Sequence, residues 1–222
     1  MFVIIESKLG EDVPDMQLKS NNYTIIRRDR KKGSGGILVY IKKSHEIISK
    51  IILSEFEIIV LTVKFKYKFV NFIIGYNPHY EFSNNFNSYL EELLKSTNLM
   101  HPTLILGDLN QDLLTSKGNN LRSIMENYGF KIPYFEATHI QGGKSSLIDV
   151  SLGNDEELFA ASSVVGCPFS NHQFIIGSCN LEMNANDKHI LRARVLNEIN
   201  LESIRTKILL QMMTKVKLKC SP

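Results

Sequence analysis

The sequence predicts a layered α/β fold built on a mixed or antiparallel sheet. Three observations carry that prediction. Short apolar runs rich in Val, Ile and Phe alternate with turn signals, the pattern of half-buried or buried strands. Two stretches repeat apolar residues at the spacing of an amphipathic helix. Strict strand–helix alternation is missing, which argues against a doubly wound parallel sheet.

The strand runs fall at residues 3–5, 37–41, 57–63, 69–75 and 103–107, with later candidates at 147–152 and 174–179. Lys64-Phe65-Lys66-Tyr67-Lys68 alternates polar and apolar side chains, as a hairpin region with one wet face would. The first helix starts at Ser83, a suitable N-cap, and lines up Phe86, Tyr89, Leu90, Leu93 and Leu94 on one face. A second starts at Asn119 or Asn120 with Leu121, Ile124, Met125 and Tyr128. Gly129 follows where a left-handed C-terminal residue is wanted.

Composition bounds the function classes. At 43% hydrophobic residues the chain can bury a real core. Cys167, Cys179 and Cys220 are odd in number and scattered, so a disulfide framework is excluded and a reducing compartment is expected. No apolar run approaches the roughly 18–20 residues of a membrane span, and the N-terminus lacks the basic start of a signal peptide. The expectation is an intracellular protein, cytoplasmic or nuclear, monomeric and without membrane association.

The net charge of +3 is too small to argue for a nucleic-acid partner, but its distribution is suggestive. Residues 27–32 read Arg-Arg-Asp-Arg-Lys-Lys, and the C-terminal stretch is basic. Such clusters neutralise phosphates, or else are simply solvated surface. Composition shifts at residues 184–187, so a domain over 1–183 is expected, followed by a basic, helical tail over 184–222 with its helix around 196–213.

Three segments put polar groups at the ends of apolar strands. In Leu106-Gly107-Asp108-Leu109-Asn110, glycine permits a tight turn, and Asp108 and Asn110 emerge on one side by the two-residue period. Ser146-Leu147-Ile148-Asp149 and Ser170-Asn171-His172 are the others, and Glu6 ends the first apolar run. Singly, each is better explained by a turn, a surface hydrogen bond or a solvated side chain. As an ordered series they place carboxylates, amides and an imidazole where ligand sites of layered α/β proteins collect.

That series resembles the endonuclease/exonuclease/phosphatase superfamily, whose signature motifs match Asp108 with Asn110, Asp149, and His172 in the usual order. Glu6 in Glu-Ser-Lys-Leu resembles its metal-binding Glu motif. More narrowly, Arg27–Arg30 followed by Gly33-Ser34-Gly35-Gly36-Ile37-Leu38-Val39-Tyr40 resembles the endonuclease domains of non-LTR retrotransposons. So do Gly75-Tyr76-Asn77-Pro78, where Tyr76 matches an active-site tyrosine, and Thr138-His139-Ile140. The resemblance covers about residues 1–181.

It implies a two-sheet β-sandwich flanked by helices, four layers in α/β/β/α order, with the site at one edge. It implies DNA as partner, one divalent cation (Mg²⁺, with Mn²⁺ as the alternative) on Glu6, and nicking that leaves a 3′-hydroxyl. Asp108 would orient or deprotonate water and Asn110 would position it. His172, oriented by Asp149, would serve the phosphate, and Tyr76 would donate to it. Zinc is disfavoured because cysteines and histidines do not cluster.

Two departures qualify the match. The family's first strand, ending in Asn some 25 residues before Glu6, has no counterpart after Met1, so a truncated copy with open strand edges is expected. The family's Ser-Asp-His is Ser170-Asn171-His172 here. Asn171 keeps the shape without the charge, so it is a weakened metal-shell position. The tail resembles a linker toward a reverse transcriptase. Activity is therefore expected to be impaired. The alternative is a catalytically inactive relic that at most binds nucleic acid, and a phosphatase or lipid phosphodiesterase of the same superfamily stands third.

Overall fold

A computed structural model of the chain describes residues 1–31, 33–132 and 136–181. The boundary expected after residue 183, the tail over 184–222 and Lys32 of the basic run lie outside the described residues. In chain order the elements are β1 (Phe2–Ile5), α1 (Asp15–Leu18), β2 (Tyr23–Arg28), β3 (Ile37–Lys42), β4 (Glu46–Ile52), β5 (Glu57–Phe65) and β6 (Lys68–Tyr76). There follow α2 (Ser83–Ser96), β7 (Thr103–Asp108), α3 (Asn119–Asn127), β8 (His139–Gln141), β9 (Lys144–Ser146), β10 (Asp149–Gly153), β11 (Phe159–Val165) and β12 (Phe174–Cys179).

The strands form a five-stranded sheet in the order β10-β7-β6-β5-β4 and a three-stranded sheet in the order β1-β3-β2. β6 and β7 are parallel and the other pairs antiparallel, so the larger sheet is mixed. β11 pairs with β12, and β8 with β9. Alternation sorts the side chains of the larger sheet. Ile58, Val60, Ile73, Ile105, Val150 and Leu152 face α2 and α3, where Phe86, Leu90, Leu94, Leu121 and Met125 meet them. Ile59, Leu61, Val63, Val70, Phe72 and Ile74 face the smaller sheet and pack on Ile26, Ile37, Val39 and Ile41. Each such side chain contributes roughly 1.5–3 kcal/mol by leaving water. On the outer side of the smaller sheet, Tyr40 donates to the carbonyl of Leu18 at 3.0 Å, so the single turn of α1 is the thin fourth layer.

Several local expectations change. Ser83 is the first residue of α2, not its N-cap; it is buried and its hydroxyl accepts from Asn77 Nδ2 at 3.2 Å. Gly129 does close α3 in the left-handed region (φ +75°), with Gly129 and Phe130 N–H donating to Glu126 and Met125 carbonyls. β10 starts at Asp149, two residues later than expected, because Leu147 and Ile148 still belong to the turn that Asp112 and Thr138 cap. β2, β4 and β11 add strands that periodicity did not single out.

Among the described residues β1 pairs only with β3 and β12 only with β11. Both strands line a cavity of about 1230 Å³, together with Phe72, Leu104 and Leu106 of the larger sheet. No helix among the described residues is long and apolar enough to cross a membrane. Cys167 and Cys179 are free thiols.

Candidate active site

The register of the larger sheet builds the site. Asp149 on β10 pairs with Asp108 on β7, Asp108 with Tyr76 on β6, and Tyr76 with Glu57 on β5. Paired residues share a face. Because Leu104 and Leu106 point into the sandwich, so does Asp108, and the whole row lies where the sandwich ends.

Glycine makes that row possible. Gly107 (φ +143°) lies beside Gly75 in the parallel pair, and a Cβ on Gly107 would come within 1.8 Å of the Gly75 carbonyl oxygen. Only a residue without a side chain permits this approach, and it brings Asp108 alongside Tyr76.

Asn110 is not placed by strand alternation. β7 ends at Asp108, and Asn110 sits in the left-handed region (φ +50°) of the following turn. Its N–H donates to Asp108 Oδ1 at 3.0 Å and its side-chain amide to the Asn77 carbonyl at 2.8 Å. Asn77, fully buried, donates in turn to the carbonyls of Asp108 and Leu109. The two asparagines therefore lock the ends of β6 and β7 together.

Asp149 and His172 meet through backbone as well as side chains. The Thr138 hydroxyl, wholly buried, accepts from Ile148 and Asp149 N–H at 3.2 and 3.0 Å and fixes the start of β10. Gln173 N–H donates to the Thr138 carbonyl, and His139 bridges to His172, with the two rings 4.6 Å apart. His172 Nδ1 then lies 3.1 and 3.0 Å from the two Asp149 carboxylate oxygens.

Glu6 comes from the other sheet. It follows β1 at φ +53°, and its carboxylate accepts the Tyr76 hydroxyl while facing Lys8 at 3.6 Å. Asn171 is exposed; its carbonyl accepts from Ile140 N–H at 2.9 Å.

The electrostatics follow from burial and crowding. Burial pushes the Asp108 carboxyl up to about 7, reinforced by the Asp149 charge and opposed by the Asn110 N–H and by His172. The hydrogen bond to Asp149 raises His172 above its usual value, against the effect of burial. Burial first, and then the bond to Glu6, make the Tyr76 phenol hold its proton more firmly than usual. Burial lowers His139.

Asp108, Asp149 and His172 each offer a ligand atom, and these atoms lie within 4.8 Å of one another. Two carboxylates held this close, one of them buried and reluctant to ionise, suit a divalent cation that would offset their repulsion. The oxygen donors fit a hard ion. Glu6 is not in that trio. Sequence reasoning held Asn77 and His139 only as members of matching segments, with no task of their own, and missed Glu57, for which the one signal was an acid directly before a buried apolar run.

The basic run is largely spoken for. Arg27 bonds the Val13 carbonyl and pairs with Asp15 and Asp29, Arg28 bonds the Leu53 and Ser54 carbonyls, and Arg30 pairs with Glu57 at 3.2 Å.

No protein-family profile and no curated protein matches the chain by sequence. Solved structures do resemble it. An AP endonuclease from Archaeoglobus fulgidus aligns with a TM-score of 0.65 at 13% identity, over 80% of this chain and 88% of that one. An endonuclease/exonuclease/phosphatase from Bacteroides vulgatus aligns at 0.58 and 15%, over 72% and 77%. The endonuclease domain of TRAS1, a telomere-specific non-LTR retrotransposon, aligns at 0.57 and 17%, over 74% and 83%. Motif resemblance and structural likeness thus converge on one architecture: the chain has the endonuclease/exonuclease/phosphatase fold.

Proposed function

We propose that the protein is a divalent-metal-dependent phosphodiesterase that nicks DNA, of the retrotransposon endonuclease type. The observation that supports it most is the row Tyr76–Asp108–Asp149 across three adjacent strands, with His172 docked on Asp149. Asp108, Asp149 and Glu6 are the hard donors that would hold Mg²⁺, or Mn²⁺ in its place. When bound, the cation polarises the scissile phosphate and offsets charge on the leaving oxygen.

The protein's own groups then have distinct tasks. Asp108 takes a proton from the attacking water, while Asn110 fixes the turn that aims it. The water oxygen bonds to phosphorus as the bond to the 3′-oxygen breaks. The products are a 5′-phosphate and, once solvent water protonates the 3′-oxygen, a 3′-hydroxyl. His172, whose hold on a proton Asp149 strengthens, donates to a phosphate oxygen, while the Tyr76 hydroxyl gives its one proton to Glu6 and holds that carboxylate in place.

A second reading rests on Asn171, which is uncharged and exposed, and on β1, which among the described residues pairs only with β3. It is a domain that binds nucleic acid without cutting it. Nicking of supercoiled plasmid by the 222-residue chain, with Mg²⁺ or EDTA and beside Asp108→Ala, separates the two. Mg²⁺-dependent nicking lost in the variant supports the nuclease. Salt-sensitive binding with no nicking, from a chain shown folded by circular dichroism, supports the second reading.

A further inference from the structure

Of the carboxylic side chains among the described residues, two are buried: Asp108, and Glu57, to which the chemistry above gives no task. Glu57 extends the row of the site by one strand, paired with Tyr76. Its carboxylate accepts the Gly36 N–H at 2.6 Å and Arg30 at 3.2 Å.

What Glu57 holds is the corner that shapes Glu6. Gly35 and Gly36 are both left-handed (φ +56° and +89°). A Cβ on Gly35 would lie 2.8 Å from the Glu57 carboxylate, and one on Gly36 would lie 2.6 Å from Ser7 Oγ. The corner is thus wedged between Glu57 and the segment after β1. Its carbonyls take that segment's N–H groups: Ser7 donates to Gly36 at 3.1 Å and Lys8 to Gly35 at 2.8 Å, while Gly33 N–H returns to Lys8 at 3.1 Å. Glu6 and Lys8 are themselves left-handed without being glycine (φ +53° and +55°). Such a conformation persists only where its surroundings impose it.

We propose that Glu57 is the positioning residue for Glu6, acting through the Gly35–Gly36 corner to fix the turn that delivers the Glu6 carboxylate to Tyr76 and the acidic site. This rests on the nuclease reading for its consequence in catalysis, and on the hydrogen-bond chain alone for its geometry.

The test uses the full chain carrying Glu57→Ala or Glu57→Gln, each alone and combined with Glu6→Gln, read by nicking kinetics and by amide hydrogen exchange. Glu57→Ala is expected to lower kcat about 10–100-fold with KM for DNA changed less than about threefold. Exchange at Ser7 and Lys8 should quicken at least about tenfold while amides of β5 and β6 keep their protection. Glu57→Gln, which retains an acceptor for Gly36 N–H, should restore most of both. On the Glu6→Gln background Glu57→Ala should cost nothing further in rate. Exchange that quickens throughout β5 and β6, or losses that multiply with Glu6→Gln, would overturn the assignment. A folded wild type that fails to nick strikes the nuclease reading, and the exchange of Ser7 and Lys8 then decides the role of Glu57 by itself.

Discussion

Asp149 presents both of its carboxylate oxygens to one nitrogen, His172 Nδ1, at 3.1 and 3.0 Å. That bond raises the imidazole's affinity for a proton. A group whose folded value lies above its unfolded one stabilises the fold fully below the unfolded value, about 6.5, and the contribution is lost as pH rises through the folded value. Asp149→Asn should therefore reduce the thermal midpoint most below about pH 6.5 and progressively less as pH rises through the folded value. In nicking assays it should lower kcat by about 10²–10³ and move the alkaline limb of the pH profile toward acid. An unmoved limb would detach His172 from the chemistry.

Asp108 shifts stability with pH in the same direction. Its carboxyl titrates near 7, above the unfolded carboxylate value, so stability is lost as pH rises from about 4 through neutrality and the full cost of its charge is present above that. Asp108→Asn keeps an oxygen for the Asn110 N–H and removes that charge. It is expected to raise the thermal midpoint at pH 8 by roughly 2–8 °C while abolishing nicking. Added Mg²⁺ or Mn²⁺ should raise the midpoint of the wild type and leave that of the variant nearly unchanged.

Tyr76→Phe isolates the hydroxyl that links the two sheets through Glu6. The phenol is buried and holds its proton throughout the working range, so the wild-type rate should show no limb from Tyr76. The variant should lose about 10–100-fold in kcat and change unfolding free energy by no more than about 1 kcal/mol in urea titrations.

Thr138→Val should act in the reverse proportion. It removes the acceptor that serves both Ile148 and Asp149 N–H in a buried place. Two stranded donors cost about 1–3 kcal/mol each, read as a lowered urea midpoint. Nicking should fall with it, since the start of β10 carries Asp149.

Much of this was legible from residue order. β6 and β7 are largely apolar runs, and their ends named Tyr76, Asp108 and, across the sheet, Asp149. β2 escaped because its run ends in Arg27 and Arg28, whose charges look solvated until their carbonyl and carboxylate partners are known. β4 escaped because it is an edge strand, mostly exposed, with Ser49 and Lys50 breaking its apolar pattern. Asn110 was found for the wrong reason: a left-handed turn, not strand alternation, places it. Glu57 was hidden because a buried carboxylate is recognisable only by the partners folding brings to it, here Gly36 and Arg30 from 21 and more residues away.

The contact between Gly107 and Gly75 has a meaning for descent as well as for folding. Acids can drift to amides of the same shape without disturbing a backbone, so a lineage released from selection can lose its chemistry while keeping its shape. Gly107 admits no such half-measure, because any replacement puts a carbon where the neighbouring carbonyl already is. Among diverging copies, carboxylates should erode within intact folds, whereas loss of this glycine should coincide with loss of the fold itself.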